Sequence, residues 1–391
     1  MPLFFENLHL SLFFAISLFT LLLSFIAIKF NSKSIDNVAL IIAYITMSSF
    51  YGFREAGTTD IKMYLDNFDA LNNFSDFNWG FSFFVLMKSI KIISSEHSFF
   101  IFASSLIFST LLLIFVHSIL KNKPYKALLM ISMLYGWYML DLATNTYRQG
   151  VSLIFIMFSM LFIAKKEYIK FSIAAVIAIS IHWGALIPEI ICIVSFLISK
   201  KITFIKYLSL FAILLFGISF FINLDIAKNI ASNPLTSSLD SIFVGVNIAS
   251  KVSNYLNSEV DGSAFYDISL LRKIKFTIEA FLPLVLNTLF LFKLSKNNDD
   301  TISKVGVFYF VTSAYIAILN IYAVSIISMA WFFRNFYWIP IASYSCLIIM
   351  LYSLKNSNKH NMFVALYIFL IILLSILTIW TSELLKMSYP L

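Results

Sequence analysis

The chain has 391 residues, of which 60% are hydrophobic and 12% are charged. Soluble proteins carry about 25% charged residues and fewer apolar ones. This composition therefore excludes a soluble multi-domain protein and indicates an integral membrane protein. The formal net charge of +8 comes largely from lysines in short clusters between apolar runs. That arrangement is typical of loops that anchor membrane helices and does not favour nucleic-acid binding.

Apolar runs long enough to cross about 30 Å of hydrocarbon recur along the sequence. The first lacks a basic leading region and a cleavage site of small residues, so we interpret it as a retained helix. We predict an all-α polytopic protein in which residues 1–391 form a single transmembrane domain. The twelve predicted spans cover residues 8–29, 35–53, 98–120, 126–141, 149–165, 168–181, 183–199, 203–222, 272–294, 302–322, 337–354 and 361–381.

Lysine clusters occupy every second loop between these spans, and Lys126 belongs to one of them. Because cytoplasmic loops carry an excess of basic residues, we predict that these loops are cytoplasmic. The two long loops, 54–97 and 223–271, are then on the outer face. The apolar segment 77–94 is short and contains two lysines, so we predict a re-entrant or interfacial helix within the first long loop.

Arginine occurs four times, at Arg54, Arg148, Arg272 and Arg334, always in predicted outer loops or at outer helix ends. Guanidinium binds phosphate oxygens in a bidentate geometry that an ammonium group cannot reproduce. Arg272 lies in a basic cluster at a helix start, where anchoring at the membrane interface is the simpler interpretation. The other three arginines are predicted to bind phosphate groups.

Two polar stretches accompany the first two of these arginines. Asp60, Tyr64 and Phe68 are spaced by four, which places them on one face of a helix that could bind a sugar. An amphipathic surface helix is the alternative. Tyr147, Arg148 and Gln149 lie where a span begins from the outer side. A helix start favours anions, so this stretch is predicted to bind substrate.

His182 and Trp183 separate two predicted helices that are short for membrane spans. His182 should therefore be recessed below the membrane surface, where ionisable residues are functional candidates. We predict His182 as the general base, Asp60 as the reserve and Glu189 as the third candidate. Glu189 follows His182 by two helical turns if the helix is continuous. Near Arg334, the aromatic stretch 331–338 adds Asn335 and Tyr337 as candidate substrate-binding residues.

Motifs of soluble enzymes are missing from the sequence. There is no P-loop, no dinucleotide-binding glycine pattern, no Cys/His metal spacing and no G-x-S-x-G motif. There is also no D-x-D pair of the kind that binds a metal and a nucleotide sugar. We therefore predict a donor that needs neither a nucleotide nor a metal, and we predict no cofactor.

These motifs, in their order along the chain, resemble the EpsG-like polysaccharide polymerases, which include many Wzy O-antigen polymerases. That family has an arginine, then Gly-Thr-Asp and a tyrosine, as in Arg54 to Tyr64 here, with one extra threonine. Residues 78–81 are similar to its Glu-x-Gly-Phe without the acid, and Arg148-Gln149 matches its Arg-Gln. Residues 181–185 are similar to its His-x-Ser-Ala with glycine for serine, and 334–337 to its late arginine–tyrosine stretch.

The resemblance implies a GT-C-like glycosyltransferase fold in a bacterial inner membrane, with the active site facing the periplasm or cell exterior. It implies a donor glycan on undecaprenyl diphosphate, an acceptor repeat unit on the same carrier, membrane lipids as surroundings and a chain-length regulator as a candidate partner. Two alternatives remain at this point. An O-antigen ligase would use the same donor but usually has one very large outer loop. A flippase or transporter would distribute ionisable residues through its spans.

Overall fold

A computed structural model describes residues 8–74, 77, 79–120, 123–132, 137–219, 282, 284–292, 307–325, 360–381 and 383–389. Every regular element within these ranges is helical. Four of the helices are long and apolar enough to cross a membrane, judged by length and composition: Leu8–Lys29, Lys33–Gly52, His97–Leu120 and Tyr147–Ala164. Five further apolar helices are shorter. The prediction of an all-α membrane protein is confirmed at this level.

The helices are numbered here in chain order. They are α1 Leu8–Lys29, α2 Lys33–Gly52, α3 Thr59–Asp69, α4 Phe81–Ile93, α5 His97–Leu120, α6 Lys126–Ser132, α7 Trp137–Thr144, α8 Tyr147–Ala164, α9 Tyr168–Ile181, α10 Leu186–Ile198, α11 Ile202–Ser219, α12 Val307–Ser325, α13 His360–Thr381 and α14 Glu383–Ser388. The chain divides into two compact units, Met1–Leu186 with Leu347–Leu391, and Ile187–Cys346. The predicted loop 223–271 and span 337–354 lie outside the described residues.

Side-chain hydrogen bonds fix the register of the helices in the first unit. The Ser105 hydroxyl of α5 donates to the Ser48 carbonyl of α2 at 3.0 Å, and the Tyr44 and Thr110 hydroxyls lie 3.0 Å apart. These two helices are therefore antiparallel neighbours, with Gly52 and His97 at the same end. In the hairpin of α8 and α9, the Ser152 hydroxyl donates to the Ala178 carbonyl at 2.8 Å. These two hydroxyls thus find their acceptors within the protein, as an apolar surrounding favours.

The directions of the helices place the arginines of the first unit at one end and most of its lysine-containing turns at the other. Gly150 of α8 lies beside Phe108 of α5, and Phe158 packs edge-on against Phe115 at 5.5 Å, so α5 and α8 run parallel. The end that carries Arg54 and the start of α8 is called the arginine end. The opposite end, which carries the turns at 29–33, 123–125 and 165–167, is called the lysine end.

Residues 53–96 leave α2 and return to α5 at the arginine end. Within them α4 has 13 residues, or about 20 Å of helix, which is less than the hydrocarbon thickness of about 30 Å. Lys91 donates to the carbonyls of Phe68 and Asp69 at 2.7 and 2.8 Å, and Lys88 donates to that of Asn72 at 3.3 Å. Lys91 therefore binds the carboxyl end of α3, where a helix favours cations, and Lys88 binds the turn that follows it.

Lys126 is not the solvated loop anchor that its lysine cluster predicts. Its side chain is 4% exposed, and Nζ lies 3.6 Å from a carboxylate oxygen of Asp36, whose side chain is 0% exposed. The same carboxylate accepts the backbone N–H groups of Lys126 and Ala127 at 3.4 and 3.0 Å. Within the predicted span 126–141 the structure describes α6 and the first residues of α7. The buried contact holds α6 against the start of α2.

In the second unit, α11 packs against α12, and residues 284–292 are also helical. The Ser313 hydroxyl of α12 donates to the Asn287 side-chain oxygen at 2.8 Å. Glu189, in the first turn of α10, is 3% exposed and lies close enough to Tyr315 to interact electrostatically with it. This unit thus buries its own polar side chains.

Candidate functional site

Arg54 follows directly after the end of α2 and is 5% exposed. Its Nη1 donates to the carbonyl of Tyr51. Nε and Nη2 are also buried and have no hydrogen-bond partner among the described residues. The ionisable groups that act on the guanidinium are the phenols of Tyr51, Tyr147 and Tyr389. Within the described part of the chain, no carboxylate forms an ion pair with it.

Burial lowers the pKa of Arg54 to about 10, so the guanidinium still carries its charge at neutral pH. A buried charge is costly unless an opposite charge and hydrogen bonds compensate it. Neutral phenols supply neither a full negative charge nor partners for both free nitrogens. The surroundings of Arg54 therefore suit an anionic ligand with several oxygen atoms, such as a phosphate ester.

Arg148, in the first turn of α8, is half-buried against the turn that precedes α4. Its Nη1 donates to the Trp79 carbonyl at 3.1 Å, and its guanidinium lies 5.4 Å from the centre of the Trp79 ring. The Tyr64 ring meets the same indole edge-on at 5.1 Å. Cation–π and hydrogen-bond contacts together fix the direction of the Arg148 side chain.

A polar cluster joins the starts of α3 and α8 to the end of α7. The Asp60 backbone N–H donates to the Asn145 side-chain oxygen at 3.0 Å, and the Asn145 amide donates to Asp141 at 3.0 Å. Asp141 is 1% exposed. The pKa of Tyr64 is raised to about 12, chiefly by burial, while Arg148 opposes the shift and Asp60 adds to it. These groups are therefore close neighbours.

Gly80 places this cluster against the end of α9. Its φ is +100°, and a Cβ there would lie 2.2 Å from the Ser180 carbonyl oxygen, so only glycine fits without strain. The Ser82 and Ser180 hydroxyls lie 2.5 Å apart. His182, two residues after Ser180, directly follows the last residue of α9. In the α8–α9 hairpin, Ser152 is paired with Ala178. Arg148 precedes Ser152 by four residues and His182 follows Ala178 by four, so both lie at the arginine end.

The structure thus brings together most of the predicted residues of the first unit. Tyr147 is 0% exposed and interacts electrostatically with both Arg54 and Tyr64, which links the arginine site to the polar cluster. His182 and Trp183 are half-buried at the same end, and Gln149 is buried in α8.

The predicted sugar-binding face of α3 is covered by the protein itself. Phe68 is 0% exposed and packs against Phe100 at 4.8 Å, while Tyr64 packs against Trp79 and Phe83. The spacing of four did place Tyr64 and Phe68 on one face. That face packs against α4 and α5 and offers no open surface for a sugar ring.

Glu189 does not continue the helix that ends at His182. His182 has an extended backbone with φ −143°, a 3-10 turn covers Trp183–Ala185, and α10 then begins at Leu186. The two-turn spacing between the histidine and the acid is therefore wrong, because the helix is interrupted. Glu189 belongs to the second unit. Arg334, Asn335 and Tyr337 lie outside the described residues, and their predicted roles stay predictions.

Three neighbours of the site were not predicted from the sequence. Asp141 and Asn145 are four residues apart just before Tyr147, and this helical spacing was a usable signal. Tyr389 had no such signal, because it reaches Arg54 only through tertiary packing. Among the described residues, no group of three or more His, Cys, Asp or Glu could hold a metal ion. The predicted independence from metals stays a prediction.

The helices and the buried arginine define a helical membrane protein with a basic site at one end of its first unit. The sequence model of the EpsG family matches residues 37–390, and the chain belongs to this family. The resemblance seen in the motifs is thereby confirmed. Neither the curated proteins nor the solved structures contain a match to the chain. Family membership indicates a polysaccharide polymerase-like role of the glycosyltransferase type.

We predict that Gly80→Ala destabilises the protein by about 3 kcal/mol, because an alanine there combines a strained φ with an overlap with the Ser180 carbonyl. Thermal unfolding in detergent measures the loss. Gly217→Ala in α11 is the matched control, since a Cβ there meets nothing within 4 Å and alanine favours a helix. Equal melting temperatures for both variants would contradict the assigned packing of Gly80.

Proposed function

We propose that this protein polymerises lipid-linked oligosaccharide repeat units into O-antigen or a related surface polysaccharide. The donor is a growing glycan on undecaprenyl diphosphate, and the acceptor is one repeat unit on the same carrier. The protein has about twelve spans in a GT-C-like arrangement in a bacterial inner membrane, and it needs no metal or cofactor. Family membership supports the class of reaction.

The observation that carries the proposal is the buried Arg54 guanidinium, which has two nitrogens without hydrogen-bond partners in the described chain. A diphosphate supplies the charge and the acceptor oxygens that this site lacks. A lipid-linked substrate also delivers its diphosphate at the membrane interface, close to helix ends. Arg148, at the same end, and Arg334 are proposed to bind the same diphosphate groups.

The proposed reaction forms one glycosidic bond. The acceptor hydroxyl attacks the anomeric carbon of the donor, the bond from that carbon to the diphosphate oxygen breaks, and undecaprenyl diphosphate leaves. The arginines stabilise the negative charge of the leaving group, which is usually the largest catalytic contribution in a water-poor site. His182 accepts the proton of the attacking hydroxyl, because histidine titrates near neutral pH. Tyr147, Gln149 and Trp183 contribute to binding, as do Asn335 and Tyr337. Tyr64 acts indirectly, because its ring packs against Trp79, which contacts Arg148.

This reaction requires the arginine end on the outer face, and we predict that orientation from the lysine distribution. An impermeant thiol reagent applied to intact spheroplasts should label Glu96→Cys strongly and Lys165→Cys weakly in a cysteine-free background. Both side chains are exposed, at the arginine and lysine ends respectively. Labelling of Lys165→Cys alone would place the site in the cytoplasm and remove the proposed substrate.

Purified protein should convert a defined undecaprenyl-diphosphate-linked repeat into longer glycans. Arg54→Lys should lower the rate at least about tenfold, because a lysine cannot make the bidentate contact. Arg272→Lys is the matched control and should act normally, since Arg272 is predicted as an interface anchor. Transfer only to a core lipid would identify a ligase, and movement of the lipid across the bilayer without a new bond would identify a flippase.

His182→Ala should lower turnover at saturating substrate by roughly 10²–10⁴-fold, the range that general-base help contributes. Asp60→Asn should retain more activity, because Asp60 is assigned to binding and orientation. Near-normal turnover of His182→Ala with an inactive Asp60→Asn would reverse the two assignments. Normal turnover of both variants would mean that neither residue takes the proton.

A further inference from the structure

Tyr389 lies beside Arg54 although 334 residues lie between them in the sequence. Its ring stacks on Phe50 of α2 at a centroid distance of 4.6 Å and an interplanar angle of 14°. The side chain is 6% exposed, and its phenol and the guanidinium interact electrostatically. Burial raises the pKa of Tyr389 well above its usual value, so the hydroxyl keeps its proton and can donate it.

The segment Glu383–Tyr389 packs against the loop that carries Arg54. The Glu55 N–H donates to the Ser388 carbonyl at 2.8 Å. A Cβ on Gly57 would lie 1.8 Å from the Met387 carbonyl oxygen, so the close approach of the two segments depends on glycine at this position. These contacts, with the stack on Phe50, hold the Tyr389 ring in one place.

Two donors at this site both point at the last turn of α2. The Tyr389 hydroxyl donates to the Phe50 carbonyl, and Arg54 Nη1 donates to the Tyr51 carbonyl. The carboxyl end of a helix carries partial negative charge. The carbonyls at this helix end thus accept hydrogen bonds from the phenol and the guanidinium. Both of these donors are also groups that bind phosphate oxygens. A diphosphate next to Arg54 would offer stronger acceptors to the same pair.

We propose that Tyr389 is a further phosphate-binding residue, which the segment Glu383–Tyr389 places beside Arg54. The inference rests on the proposed function, because that function brings a diphosphate to Arg54. Rotation of the hydroxyl about its bond to the ring redirects the proton from the Phe50 carbonyl to a phosphate oxygen. The stacked ring does not need to move, so the donor is positioned before the substrate arrives.

The test is equilibrium binding of undecaprenyl diphosphate and undecaprenyl monophosphate to the full-length protein in nanodiscs. Tyr389→Phe keeps the stack but removes the donor, and it should weaken diphosphate binding about tenfold, the effect of one hydrogen bond to a charged group. Replacement of Tyr389 by 4-aminophenylalanine restores a donor and should recover most of that affinity. Combined with Arg54→Lys, the Tyr389→Phe effect should be non-additive, because both groups would bind the same ligand.

Tyr44→Phe is the matched control, because the Tyr44 hydroxyl of α2 shares a 3.0 Å hydrogen bond with Thr110. It should lower the melting temperature but leave diphosphate affinity unchanged. A Tyr389→Phe protein that melts earlier yet binds diphosphate like the wild type would overturn the proposal, since Tyr389 would then be structural. So would failure of the 4-aminophenylalanine variant to recover affinity.

Binding and polymerisation separate the two proposals. If the wild type polymerises and Tyr389→Phe binds normally, the role of Tyr389 is wrong and the proposed function stands. If the wild type binds undecaprenyl diphosphate through Tyr389 but forms no polymer, the proposed function is wrong and the binding role stands. A wild type that binds neither carrier lipid overturns both.

Discussion

Every buried polar group in this protein needs a partner within the chain, because hydrocarbon offers none. Many hydroxyls in the helices meet this constraint through hydrogen bonds to nearby backbone carbonyls. Thr20 and Ser24 donate to carbonyls one turn earlier in α1, and Ser105 donates across to α2. Arg54 is the contrast, because two of its buried nitrogens have no partner in the described chain. Some helix hydroxyls among the described residues, such as those of Ser17 and Ser109, are also buried without a partner. Arg54 differs from them because its unpartnered group carries a full charge, and a buried charge is far more costly than a buried hydroxyl.

The hairpin of α8 and α9 keeps lysines at one end and the candidate site residues at the other. Its turn lies among lysines, while its open end carries Arg148 and His182. Because the contact of Ser152 with Ala178 fixes the register, neither helix can slide without moving Arg148 or His182 into apolar surroundings. Stability and the placement of candidate catalytic groups thus depend on the same contacts.

Hydropathy predicted the long helices well, and α1 and α9 have the predicted limits, because an apolar run must be helical in a membrane. It could not predict that Lys126 is buried, since a lysine between apolar runs resembles a loop anchor until Asp36 is placed beside it. The spacing of Tyr64 and Phe68 identified their shared face but not the helices that cover it. Tyr389 was beyond sequence reasoning, because no periodicity relates it to α2.

The contact between Asp36 and Lys126 also bears on how the chain enters the membrane during synthesis. With seven residues, α6 is only about 10 Å long, and its buried lysine disfavours its partition into lipid alone. It becomes compatible with the bilayer once the carboxylate of α2 is already there to receive it. The hairpin of α1 and α2 leaves the ribosome first, so the order of translation supplies the partner before the segment that depends on it.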